Sequence, residues 1–224
     1  MDLGMPLVSV FGRTEGAVLT VLARGSASVN GRQIERFLGG TVSIRGVQGA
    51  LARLARVGLV LATSRQAETL YRVNRAHLLW STVETAITAL TALRQRIRDL
   101  AANTAPAGTA VVLYGSVERG EATADSDIDL LVVYPDEIPA SLREDFVSEL
   151  GRSVELWTGN PAQVIEITMG GLTESAGRGD ALVDLWLHDS EVLVGALPKA
   201  LLPKALLPQA MLQTGEIRTV LQQQ

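Results

Sequence analysis

A chain of 224 residues that is 47% apolar can build one large core or two small ones, and its lack of cysteine excludes disulfides and every cysteine-ligated zinc site. No apolar run reaches the roughly 18 residues of a membrane-spanning helix. The opening MDLGMPLVSVF lacks the basic-then-apolar order of a secretory leader, so a cytoplasmic location and no membrane partner are expected. The net charge of −4 conceals a division: residues 1–75 hold ten arginines against four acids, a balance of +6, and residues 76–224 carry −10. A basic part fits a polyanion, whereas an acidic part that bound nucleotides would need cations between like charges.

In chain order, residues 14–24 read as a helix with Val18, Leu19 and Leu22 on one side, and residues 29–38 as a second helix closed by Gly39-Gly40. Ser43 reads as the cap of a third, running from about Ile44 to Arg56 and ending near Gly58. Its apolar face holds Ile44, Val47, Leu51 and Leu54; Arg45, Arg53 and Arg56 lie opposite, with Gln48 at the edge. Residues 59–63 and 70–73 predict two strands joined by the polar turn SRQAE, with Arg65 at its tip. Three helices and a hairpin in this order resemble the winged helix-turn-helix, and VSIRGVQGALARLARVGLVLA resembles the recognition helix and first wing strand of ArsR- or MarR-type regulators. The resemblance implies that residues 1–78 bind double-stranded DNA through Arg45, Gln48, Arg53, Arg56 and Arg65, Arg and Gln being the side chains suited to guanine, adenine and phosphate. A solvated arginine-rich face, or a module for protein contacts, is the alternative.

Residues 79–101 predict one long helix, within a connecting segment 79–104. Leu79, Val83, Ala86, Leu90, Leu93, Ile97 and Leu100 recur at spacings of four and three, as in the seam of a coiled-coil homodimer or in a core helix packed on the next domain. Residues 105–195 alternate: strands at 109–114, 127–134 and 163–169, with helices at 139–157 and 173–188. The expected class is therefore α+β, a winged helix joined by a long helix to a small α/β domain with a mixed sheet. From residue 196 the chain is rich in Pro and Leu, with LPKAL at 197–201 and again at 202–206, and reads as a low-complexity tail. His77 and His188 have no partner at metal-ligand spacing and read as structural or exposed.

The segment richest in chemistry is VVLYGSVERGEATADSDIDLLVVY, residues 111–134. A strand runs into Gly115-Ser116, where glycine permits close approach and the hydroxyl and backbone N–H groups suit phosphate oxygens. Asp127 and Asp129 open the next strand and, at period two, share a face. Two such carboxylates repel unless a divalent cation lies between them, and magnesium favours oxygen ligands completed by water and substrate phosphate. Strand, Gly-Ser, spacer, Asp-x-Asp, strand resembles the signature of the DNA polymerase beta superfamily of nucleotidyltransferases, above all its minimal bacterial branch. Arg119-Gly120-Glu121 and residues 126–130 (SDIDL) match, and Glu118 departs by adding charge where a small residue is common.

The resemblance implies transfer of a nucleoside monophosphate from an NTP to an acceptor hydroxyl on a protein, RNA or small molecule. Asp127 and Asp129 would ligate two Mg2+ ions, Gly115 and Ser116 would hold the β- and γ-phosphates, and Arg119 would touch a phosphate or pair with a nearby acid. The family's third carboxylate, ligand or base, comes from a later strand. Glu166 is the expected bearer, with Asp180 and Asp184 as weaker alternatives. The competing reading is a DNA-binding regulator whose second domain senses a nucleotide without turning it over.

Overall fold

The computed structural model describes residues 1–66, 68–188 and 190–197; the repeat from Pro198 onward, like the side chains of Asp184 and His188, lies outside the described residues. The chain begins with α1 (Pro6–Phe11), a turn and a half with proline at its start, where a missing N–H costs nothing. Gly12, at φ 83°, reverses the chain into α2 (Arg13–Arg24). The two helices touch at Gly16, where a Cβ would meet the Leu7 carbonyl at 2.5 Å. α3 (Gly31–Phe37) starts from a reciprocal cap: the Asn30 Oδ1 accepts from the Gln33 N–H at 2.9 Å and the Gln33 Oε1 from the Asn30 N–H at 2.8 Å. α4 (Ile44–Arg56) starts at Ser43, whose Oγ accepts from the Gly46 N–H.

Val47, Ala50, Leu51 and Leu54 bury the inner face of α4 against Leu19, Ile34, Leu59 and Val73, and Ile44 is half-buried. β1 (Val60–Arg65) and β2 (Glu68–Val73) form an antiparallel hairpin, and Val29 adds a single bridge to Tyr71.

The long helix is broken. α5 (Trp80–Ile87) and α6 (Ala89–Thr104) meet at Thr88, whose hydroxyl donates to the Glu84 and Thr85 carbonyls. The apolar stripe divides there between two cores. Val83 and Ala86 pack with the amino-terminal helices, whereas Leu93 and Ile97 pack beneath the second sheet. Of the two readings of this spacing, a coiled-coil seam or a core helix, these contacts within the chain fit the core helix, divided between two cores.

That sheet has the order β5-β4-β3-β6. β3 (Ala110–Tyr114) pairs antiparallel with β4 (Ile128–Tyr134) and with β6 (Ser190–Val194), a strand the sequence pattern does not reveal. β4 pairs parallel with β5 (Ala162–Thr168) through the crossover helix α8 (Ala140–Thr158), while the single turn α7 (Gly115–Glu118) follows β3. The sheet is therefore mixed, in an α+β chain. α9 (Met169–Gly177) and α10 (Ala181–His188) replace the single helix expected at 173–188; the chain turns between them at Gly179, φ 72°.

Helices cover both sheet faces. Val111, Leu113, Ile128, Leu130, Val132 and Tyr134 pack toward α6 and α8. Ala110, Val112, Tyr114, Leu131 and Val133 pack toward α9 and α10, which contribute Leu172, Val183 and Trp186. Such two-sided burial explains the apolar run of β4 from Leu130 to Tyr134. Among the described residues, no helix is long and apolar enough to cross a membrane.

Candidate active site

The site lies at one end of the β3/β4 pair. Tyr114, the last residue of β3, is paired in register with Asp129. The next residue, Gly115, is buried and has φ 77°, a conformation that side chains disfavour. A Cβ at Gly115 would stand 3.0 Å from Asp129 Cγ and closer still to its Oδ2. Glycine is thus needed twice, for the turn and for the carboxylate beside it. Ser116 is half-buried at the head of the α7 turn, where first-turn N–H groups have no intrahelical acceptors.

Asp127 and Asp129 flank Ile128, which is fully buried on the α6/α8 side. Asp127 is exposed and Asp129 half-buried. Burial raises the Asp129 pKa above the usual carboxylate range, the Asp127 charge raises it further, and Arg119 opposes both. The acids are therefore close enough to repel, and one of them is short of solvent. Both conditions favour a cation, and two carboxylates completed by water and phosphate oxygens are a donor set that suits Mg2+. Burial and the Asp129 charge likewise raise the Tyr114 pKa, and its ring packs edge-on to Trp186.

Arg119 pairs with Glu121 at 2.9 Å while its charge reaches Asp129. Glu118 does not lie loose beside the phosphate-binding turn: Arg94 of α6 holds it at 2.6 Å and also grips Glu191 of β6, which pairs with Arg98 at 2.9 Å. The added acid belongs to a network that ties α7 to α6 and β6.

Glu166 requires a correction. Its register partner is Val132, whose side chain packs on the α6/α8 side, so strand alternation puts Glu166 on the face opposite Asp129. It pairs there with Arg143 of α8 at 3.5 Å. The residue of β5 that stands beside Asp129 is Gln163, exposed and uncharged. Asp180 caps α10 by accepting from the Leu182 N–H. Among the described residues, no group of three or more His, Asp or Glu side chains is gathered to hold a metal. His77 is structural, its Nδ1 accepting from the Leu79 N–H and its Nε2 lying 3.1 Å from the Val57 carbonyl.

Arg45, Gln48, Arg53, Arg56 and Arg65 are all exposed, the first four on the outer face of α4 and the last at the hairpin tip. Arg53 is paired with Glu15 of α2, so its charge is partly neutralised.

No curated protein matches the chain. Solved structures to which the chain is similar include a toxin–antitoxin with AMP-PNP, at 18% identity over 46% of this chain and 73% of that one, TM-score 0.34. Another is a tri-AMPylated Shewanella oneidensis HEPN toxin in complex with MNT antitoxin, at 16% identity over 48% and 73%, TM-score 0.32. A third, described as a minimal nucleotidyltransferase, is 26% identical over 46% and 93%, TM-score 0.33. The family model for the nucleotidyltransferase domain matches residues 91–184, from within α6 to α10, a span that holds the Gly115 turn and both aspartates. Residues 91–184 carry a nucleotidyltransferase domain.

Proposed function

We propose that this domain moves a nucleoside monophosphate from an NTP to an acceptor hydroxyl and releases pyrophosphate. The observation that supports it best is the corner formed by Gly115, Asp127 and Asp129, where a backbone stripped of its Cβ meets two mutually repelling carboxylates. The acceptor oxygen bonds to the α-phosphorus, the bond from that phosphorus to the β-phosphate oxygen breaks, and the hydroxyl proton passes to water. Gly115 and Ser116 hold the β- and γ-phosphates, and Arg119 adds positive charge beside them. Asp127 and Asp129 would hold Mg2+, which when bound neutralises triphosphate charge and orients the leaving group. The protein's part is positioning and electrostatics rather than covalent chemistry. Incubation with labelled NTP, Mg2+ and a cell extract as the source of acceptor hydroxyls tests this: labelled product and pyrophosphate above the level of the extract alone are expected, and their absence at saturating nucleotide would refute transfer.

A second reading, nucleotide sensing without turnover, draws on Gln163. The strand position next to Asp129 carries an amide, and Glu166 faces away. The same incubation separates the two, since a sensor retains intact NTP.

For residues 1–78 the proposed partner is double-stranded DNA. α4 would lie in the major groove with Arg45, Gln48 and Arg56 toward the bases and phosphates, and Arg65 would reach the backbone from the hairpin tip. The +6 balance of residues 1–75 supports this reading.

A further inference from the structure

Asn160 is 2% exposed in the turn between α8 and β5, a costly place for an amide unless all its polar atoms are used. They are. Nδ2 donates to the Ser126 carbonyl at 2.9 Å and to the Ala124 carbonyl at 3.2 Å. Oδ1 accepts from the Met1 nitrogen, and the backbone N–H donates to Thr158 Oγ1 at 3.2 Å. The neighbouring Pro161 carbonyl accepts from the Ile128 N–H at 2.9 Å. Asp127 therefore sits between two backbone anchors, Ser126 before it and Ile128 after it, both tied to the Asn160-Pro161 turn. Its own side chain is exposed and precedes β4, so strand pairing alone does not hold it. Residues 123–126 close on themselves through the Thr123 N–H to Ser126 Oγ bond, 2.9 Å, and the Asn160 amide ties that loop to the turn between α8 and β5.

We infer that Asn160 is a positioning residue for Asp127: its buried side-chain amide holds the backbone ahead of that aspartate, so that the carboxylate is presented at a fixed distance from Asp129. The inference rests on the nucleotidyl-transfer reading of the Asp127–Asp129 corner. Asn160 touches neither nucleotide nor cation and acts through the loop. Removing the amide leaves the Ser126 and Ala124 carbonyls without this donor and frees the loop, which spreads the two carboxylates over many separations.

The test compares the full chain with Asn160→Ala, Asn160→Asp and Thr158→Val. The aspartate keeps the shape and turns an acceptor on the two carbonyls, and it serves where the alanine variant does not fold. Thr158→Val removes a bond of the same turn without touching the amide. The readouts are the Mg2+ concentration that half-saturates ATP binding, ATP binding in EDTA, and hydrogen exchange at the Ile128 amide. Expected for Asn160→Ala or Asn160→Asp is roughly a tenfold higher Mg2+ requirement, the low end for loss of an outer-shell support. Faster exchange at Ile128 and unchanged binding in EDTA are expected alongside. Thr158→Val is expected to leave the Mg2+ requirement at the wild-type value. Wild-type Mg2+ dependence in both Asn160 variants overturns the positioning role while the transfer reading stands, as does an equal rise in Thr158→Val. A wild-type chain whose ATP binding ignores Mg2+ overturns both.

Discussion

Gly115 leaves to Asp129 the space in which any other residue would hold its Cβ, with the Asp129 Cγ 3.0 Å from that position. The aspartate cannot retreat easily, because its strand is paired on both sides, with Tyr114 of β3 and Gln163 of β5. Gly115→Ala would therefore strain the backbone and displace the carboxylate together. We expect a loss of about 1–3 kcal/mol in unfolding free energy, from the positive φ alone. Transfer should fall roughly 100-fold, the usual cost of an ångström-scale displacement. Urea denaturation and NTP turnover measure the two, and an alanine variant with wild-type turnover would contradict the tight approach.

Asp127→Asn with Asp129→Asn should abolish Mg2+-dependent transfer and leave the fold intact, since neither side chain is part of a core. Circular dichroism and pyrophosphate release check it. Residual metal-dependent turnover would remove the pair from the reaction.

The pH dependence follows from Asp129. Its pKa in the folded chain is raised by burial, then by Asp127. The folded state therefore keeps a proton that the unfolded state gives up. That contribution to stability is complete below the ordinary carboxylate value and is lost as pH rises through the raised one. Without metal, Asp129→Asn should flatten this acid-range dependence and raise the melting temperature at neutral pH. Melting curves in EDTA across the acid range decide, and parallel curves for the two proteins would contradict the assigned burial.

Glu166→Ala should leave Mg2+ affinity and transfer within about twofold of wild type, because Glu166 and Asp129 are on opposite faces. Gln163→Asp puts a carboxylate beside Asp129 and should tighten Mg2+ binding about tenfold, as one more charged ligand would. Titration of Mg2+ against ATP binding tests both. A collapse on Glu166→Ala would overturn the register argument.

On the amino-terminal side, Arg45→Ala with Arg56→Ala should weaken binding to duplex DNA and reduce the slope of affinity against salt by about two, one for each phosphate no longer neutralised. Arg53→Ala should do less, since Arg53 already answers Glu15. Gel-shift titrations at several salt concentrations measure these, and unchanged affinity in the double variant would return residues 1–78 to protein contacts.

Local chemistry carried much of this molecule. The α4 helix with its Ser43 cap, the hairpin and the strand–Gly-Ser–Asp-x-Asp–strand order were legible because each depends on neighbours a few residues apart: hydrogen-bond caps, alternation, and the freedom of glycine. What stayed hidden depends on distant partners. The break at Thr88 reflects a choice between two cores that share one apolar stripe. β6 is recognisable only beside β3. The face taken by Glu166 was decided by the β4–β5 register, since a strand's own pattern says which residues share a side but not toward which neighbour that side is turned. Asn160 likewise looks like an ordinary turn residue until folding puts its amide under the Ser126 carbonyl, 34 positions away in sequence.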